Sequence, residues 1–241
     1  MPKLKFHIFG LRTEISITVL IWPILLFYAF GGTIKEFTWE PLQMAFYVSL
    51  SIWIAILLHE LGHAAGAHMV DIETEKIEIS AIMGKASIAW PEEGFNPKRE
   101  LLPLALGPLT NLFVSGVFWG MSRFFSYDPV LEGMCFIFVG IHAAIGIFNL
   151  VPTLPMDGAK ILLCLHALLV PPIVAARRVA TVGTIAALGL LYVAFQNGYI
   201  LVIGLSPLFI LANIFAIKWP EHLIRSPIRK ADSMDQEMRH G

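Results

Sequence analysis

The chain has 241 residues, of which 56% are hydrophobic and only 15% are charged, and its mean hydropathy is +0.71. Soluble domains carry about 25% charged residues, so this composition excludes a soluble protein with a single anchor and indicates an integral membrane protein. The net charge of −1 supplies no basic field for nucleic acid, so no nucleic-acid partner is expected.

The first half of the chain predicts two membrane-spanning helices and a β-hairpin. A helix is expected over residues 13–31, because the apolar run 15–31 is long enough to span a bilayer and lacks a small-x-small cleavage site. A second helix is expected over residues 42–69. Within the polar segment 71–97, apolar residues alternate over 76–90 on both sides of Met83 and Gly84, which predicts a hairpin.

The second half predicts four more helices of spanning length, over residues 101–125, 133–151, 179–195 and 199–217. Residues 152–158 cannot form regular helix, because Pro152 and Pro155 remove backbone donors. The apolar run 159–170 is too short to span, and residues 218–241 form a charged tail that is expected to be flexible.

The predicted fold class is therefore all-α and polytopic, with about six transmembrane helices and a small membrane-associated β-hairpin after the second. One membrane-embedded domain is expected over residues 1–241. Its core covers about residues 42–160, helices 13–31 and 175–217 are accessory, and the tail is 218–241. With both chain termini in the cytoplasm, all of the 17 basic residues except Lys35 and Arg123 lie on the cytoplasmic side, as the positive-inside rule requires.

The chemistry is concentrated near the end of the second helix, in the pattern His59-Glu60-Leu61-Gly62-His63. Residues four apart lie on one helix face, so the two imidazoles can point at a single zinc ion. Glu60 lies beside His59, where a general base of a metalloprotease is found. Ionisable groups at membrane depth are functional candidates. A chance match and a polar helix face lining a transporter cavity are the alternatives.

A catalytic zinc site needs a third protein ligand. The ionisable candidates at the same membrane depth are His68, His142, His166 and Asp157. Asp157 is favoured, since the rigid Pro-x-x-Pro-x-Asp-Gly segment would hold its carboxylate in a fixed direction. At membrane depth, irregular backbone of this kind must be buried in protein or line a water-filled cavity. An ordinary turn aspartate before a glycine is the alternative.

Three segments together resemble the site-2 protease family of intramembrane zinc metalloproteases. They are His59-Glu60-Leu61-Gly62-His63, Gly107-Pro108-Leu109-Thr110-Asn111, and the run from Asn149 to Gly158, which is similar to the family pattern N-x-x-P-x-x-P-x-D-G. The resemblance implies one Zn²⁺ per chain on His59, His63 and Asp157, with Glu60 as catalytic base. It also implies a reentrant hairpin, although Gly84-Lys85 stands where the family has two glycines. Without room for a PDZ or nucleotide-sensing domain, a minimal form is expected.

The expected activity is hydrolysis of a peptide bond in or near the transmembrane segment of a membrane-anchored protein, with the lipid bilayer as surroundings and the mouth of the site on the cytoplasmic side. Asn149 is the candidate donor to the developing oxyanion, or it pairs with unwound or substrate backbone. His142 is a second candidate donor, and a helix–helix hydrogen bond is an equal alternative for it. The rival function is a transporter that binds metal as cargo through the same His and Asp residues.

Overall fold

The computed structural model describes residues 2–33, 39–81, 84–90 and 94–224. These residues are mostly helical, with one small four-stranded sheet. The chain divides into two compact units. The first consists of Met1–His68, Thr74–Ile88 and Leu106–Phe148, and the second of Met69–Glu73, Ala89–Ala105 and Asn149–Gly241.

Three long helices and one short helix belong wholly or mainly to the first unit. They are α1 (Ile21–Ala29), α2 (Trp39–Met69), α3 (Pro97–Phe124) and α4 (Pro129–Asn149). The N-terminal residues of α3 belong to the second unit. Three of these helices, α2, α3 and α4, are long and apolar enough to cross a membrane.

The four strands form a sheet in the order β1-β2-β3-β4. Strands β1 (Lys3–Ile8) and β2 (Leu11–Ser16) are antiparallel, β2 is parallel to β3 (Thr74–Ile79), and β3 is antiparallel to β4 (Gly84–Ile88). Ile77 and Ile79 of β3 are buried in a cluster with Ala64 of α2. This burial anchors the sheet beside the histidine-bearing end of α2.

The beginning of the chain differs from the sequence prediction. A helix was expected from residue 13, but β2 continues to Ser16, a 3-10 turn covers Ile17–Leu20, and α1 begins only at Ile21. The reason is the parallel pairing of β2 with β3, which joins segments more than 60 residues apart and leaves no signal in the local apolar pattern. The hairpin predicted over residues 76–90 corresponds to β3 and β4. Residues 82–83 at its tip lie outside the described residues, and its placement in the membrane stays a prediction.

The second unit is built on α5 (Asp157–Ala167), α6 (Pro172–Asn197), α7 (Ile200–Lys218) and the short α8 (Glu221–Ile224). Small buried residues of α6, among them Ala175, Ala176 and Ala180, pack against Leu163 of α5 and Ala216 of α7. Small side chains let membrane helices approach closely. Pro171 and Pro172 also start α6, because proline suits the first helical position.

Four helices among the described residues can cross a membrane by length and composition, namely α2, α3, α4 and α6, and two apolar helical stretches, Ile17–Ala29 and Val202–Lys218, are shorter. The protein is therefore an integral membrane protein. The expectation of a flexible tail over 218–241 falls mostly on residues 225–241, which lie outside the described residues.

Candidate metal centre and catalytic base

The two histidines of the motif are buried and converge. His59 and His63 are 5% and 8% exposed, and their Nε2 atoms lie 3.1 Å apart. Their rings are nearly perpendicular, with 4.7 Å between the centroids. The convergence follows from the four-residue spacing on α2, which puts both side chains on one face of the helix.

The histidine pair fits a zinc ion. Two nitrogen ligands of a tetrahedral zinc, each at the usual Zn–N distance, lie about 3.3 Å apart, close to the separation of the two Nε2 atoms here. Gly107 of α3 makes room for this geometry, because a Cβ at that position would overlap the His63 ring. Two imidazoles supply half of a tetrahedral ligand set, so further ligands have to come from outside α2.

Glu60 is held by the sheet. Its side chain is 6% exposed, and its Oε2 accepts a hydrogen bond of 2.6 Å from the backbone N–H of Ala86 on β4. A Cβ at Gly84 would lie 2.5 Å from Oε1 of Glu60. The bare backbone at Gly84 and the Ala86 N–H therefore hold the Glu60 carboxylate in one position.

A chain of three polar side chains connects α2, α3 and α4 behind His59. Nδ1 of His59 lies 3.2 Å from Nδ2 of Asn111, and Oδ1 of Asn111 lies 3.1 Å from Nδ1 of His142. Asn111 and His142 are fully buried. The bond between Asn111 and His142 joins α3 to α4, which is the helix–helix hydrogen bond that the sequence left open for His142.

Asp157 belongs to the second unit, where it is the first residue of α5. A carboxylate at this position interacts favourably with the helix dipole, and Nζ of Lys160 lies 3.5 Å from its Oδ1. The segment before Asp157 is tightly bent and brings the carbonyl of Leu150 against Gly158. A Cβ at position 158 would overlap this carbonyl. Asp157 itself is only 7% exposed.

Asn213 of α7 supports the bent segment that carries Asp157. Its Nδ2 donates a 2.8 Å hydrogen bond to Oγ1 of Thr153, and its Oδ1 accepts one of 3.4 Å from the N–H of Leu154. Asn213 is not among the site residues predicted from the sequence. The available signal was an asparagine within an otherwise apolar helix, where polar groups mark functional or structural sites.

The first unit thus brings together His59, Glu60, His63 and, through Asn111, His142. The other two predicted site residues, Asn149 and Asp157, fall in the second unit. Asn149 is the last residue of α4 and is partly exposed. The roles of Gly84 and Gly107 could not be seen in the sequence, because they depend on which side chains approach each glycine.

Comparison with known proteins finds relatives, several of which are named as zinc metalloproteases. The chain is 30% identical over 160 residues to a zinc metalloprotease of Methanocaldococcus jannaschii, covering 65% of this chain and 43% of the relative. It is 27% identical over 123 residues to the stage IV sporulation protein FB of Bacillus subtilis, covering 51% of this chain and 41% of the relative. The chain spans less than half the length of these relatives. No model of a known protein family matches.

The fold is similar to that of a solved structure, the site-2 protease from Methanocaldococcus jannaschii. The TM-score is 0.58 at 23% sequence identity, and the match covers 90% of this chain and 95% of the other. At this identity the match shows a shared fold.

Proposed function

Because this chain is similar in sequence to a zinc metalloprotease and in fold to a site-2 protease, we propose that it belongs to the site-2 protease family and is an intramembrane zinc metalloprotease that cuts membrane-anchored proteins. The observation that carries the proposal is the buried set on α2, two converging imidazoles with a carboxylate beside them, inside a helix of spanning length. Such a set is energetically costly at membrane depth, so its presence there indicates a function.

We propose that His59, His63 and Asp157 hold one zinc ion per chain. The donor types support this, since two histidines and one carboxylate leave one position open at a catalytic zinc. When bound, zinc lowers the pKa of water and polarises the scissile carbonyl.

Glu60 acts as general base in this proposal. Its Oε2 is engaged by the Ala86 N–H, so the carboxylate keeps one orientation while it takes the proton of the attacking water and passes it to the leaving amine. Asn149 donates to the developing oxyanion. A substrate helix has to unwind before its backbone is cut, and edge backbone within residues 76–90 or 151–155 can pair with the extended substrate strand.

The substitution Glu60→Gln tests the function. It preserves the size of the side chain and removes the base, so cleavage of a membrane-anchored substrate should fall by a factor of about 10²–10⁴ while zinc content stays at the wild-type level. Cleavage at the wild-type rate would exclude the protease. Metal flux into vesicles that Glu60→Gln leaves unchanged would identify the rival transporter.

Zinc content tests the ligand set separately. The purified protein should hold about one zinc per chain, and His59→Ala or Asp157→Ala should remove most of it, whereas Glu60→Gln should not. Full zinc content in both ligand variants, measured by elemental analysis, would remove the proposed site.

A further inference from the structure

We propose that Asn111 and His142 are positioning residues that set His59 in the tautomer a zinc ligand requires. The inference rests on the proposed zinc site and adds two residues to it. Both lie in the first unit, together with His59, and neither touches the reacting atoms in this proposal.

Geometry identifies which nitrogen of His59 is available to the metal. Its Nε2 faces Nε2 of His63 at 3.1 Å, while its Nδ1 faces the amide of Asn111 at 3.2 Å. The metal position is therefore on the Nε2 side. A neutral imidazole that binds metal through Nε2 carries its proton on Nδ1 and needs an acceptor there.

The amide of Asn111 is the group that can accept this proton. With Nδ2 facing His59, Asn111 donates to Nδ1, and the proton of His59 sits on Nε2, where it points at His63. Rotation of the amide by half a turn exchanges its nitrogen and oxygen at nearly the same two distances. Oδ1 then accepts from Nδ1–H of His59, and the lone pair of Nε2 can bind zinc.

His142 can pair with either orientation of the amide. It donates from Nδ1 to Oδ1 in the first amide orientation and accepts at Nδ1 from the amide N–H in the second. Each pairing uses one of the two tautomers of a neutral imidazole, with the proton on Nδ1 in the first and on Nε2 in the second. Nε2 of His142 is buried and has no hydrogen-bond partner in the described part of the chain, so the ring makes its hydrogen bond through Nδ1, to Asn111.

Packing fixes the position of the His142 ring. The ring stacks on Phe138 and Phe118, with interplanar angles of 18° and 19°. The result is a fixed ring that presents Nδ1 to Asn111, which an aliphatic residue at position 142 would not supply.

The test measures zinc affinity by competition with a chelator, because affinity reports the tautomer without any need for turnover. Asn111→Leu keeps the side-chain size and removes the acceptor, so zinc should bind about 10–100-fold more weakly. Asn111→Asp restores an acceptor for Nδ1–H and should bind zinc nearly as tightly as wild type. A general packing defect at position 111 would not be rescued by a buried carboxylate.

Ser115→Ala is the matched control. Ser115 lies one turn along α3 from Asn111 and donates a 3.0 Å hydrogen bond to the carbonyl of Val139 on α4. The variant removes a bond between the same two helices without touching His59, so its zinc affinity should equal that of wild type. A loss as large as in Asn111→Leu would assign the effect to helix packing and overturn the inference.

His142 is tested in two backgrounds. His142→Phe should weaken zinc binding several-fold in the wild-type chain and cause no further loss in Asn111→Leu, since His142 acts through Asn111. This variant also carries the test if Asn111→Leu does not fold.

The outcomes separate the inference from the proposed function. Zinc binding in His142→Phe as tight as in wild type would overturn the role of His142. Zinc binding in Asn111→Leu as tight as in wild type would overturn the role of Asn111. The proposed function would stand in both cases, whereas a wild-type chain that binds no zinc would refute the function as well.

Discussion

At the scale of single residues, the space around the candidate site depends on two glycines. Gly84 lets β4 lie against Glu60, and Gly107 lets α3 lie against His63. Each glycine faces a different member of the motif, Gly84 the proposed base and Gly107 a proposed metal ligand. Adding one methyl group at each position therefore separates the two roles.

We expect Gly84→Ala to lower cleavage by about 100-fold, because displacement of a catalytic group by about an ångström has an effect of this size, with zinc affinity unchanged. Gly107→Ala should instead weaken zinc binding, since its Cβ overlaps the His63 ring. Cleavage and zinc competition assays on both variants check this. Gly116→Ala is the control on α3, where a Cβ meets nothing within 4 Å among the described residues. If Gly84→Ala and Gly107→Ala weakened zinc binding equally, the assignment of Gly84 to the base and of Gly107 to the metal ligand would be contradicted.

At the scale of elements, charge pairs join the strands of the sheet. Nζ of Lys3 donates a 2.9 Å hydrogen bond to Glu14 and a second hydrogen bond to Glu78, and Nη2 of Arg12 donates one of 2.6 Å to Glu14. These bonds tie β1, β2 and β3 together. The hydrogen bond from Lys3, followed by that from Arg12, lowers the pKa of the Glu14 carboxyl from its ordinary value to about 2, against the opposing effect of desolvation.

The depressed pKa of Glu14 predicts a dependence of stability on pH. A carboxyl with a lowered folded-state pKa stabilises the protein fully above its unfolded-state pKa, near 4.5, and this contribution is lost as the pH falls towards 2. Wild type should therefore exceed Glu14→Gln in Tm at pH 6, and the difference should shrink below about pH 4.5. Thermal unfolding of both metal-free proteins measures it. Glu75→Gln, at an exposed position of β3, controls for the lost charge, and a pH-independent Tm difference for Glu14→Gln would contradict the prediction.

At the scale of the whole molecule, the orientation in the membrane is a prediction from charge. We propose six spans, in which the apolar stretches Ile17–Ala29 and Val202–Lys218 cross the membrane in addition to the four longer helices. Both termini then lie in the cytoplasm, as does the mouth of the site, because the basic residues are concentrated on that side.

Reporter fusions test this orientation. A fusion after residue 241 and one within residues 71–97 should both report the cytoplasm, and one within residues 126–132 should report the opposite side. The Arg123 side of the molecule carries too few positive charges to compete with the cytoplasmic segments. A C-terminal reporter on the outer side would refute the six-span arrangement.

The sequence by itself determined the class of protein, and it named the candidate residues for the chemistry. Composition indicated an integral membrane protein, the described helices and the relatives confirm that class, and the resemblance to the site-2 protease family is confirmed by the comparisons. These features could be read because they are local. The length of an apolar run indicates a membrane-spanning helix, and the four-residue spacing of His59 and His63 indicates that both lie on one helix face.

Only the tertiary structure decided what surrounds those residues. The pairing of β2 with β3, the Ala86 N–H on Glu60, and the contacts of Asn111 with His59 and His142 all join segments far apart in the chain. Long-range pairing leaves no periodic signal in either segment, since the residues of one strand or helix do not identify the segment with which it pairs. The sequence could therefore name His142 as a polar group at membrane depth, while its partner became visible only when α3 and α4 were packed together.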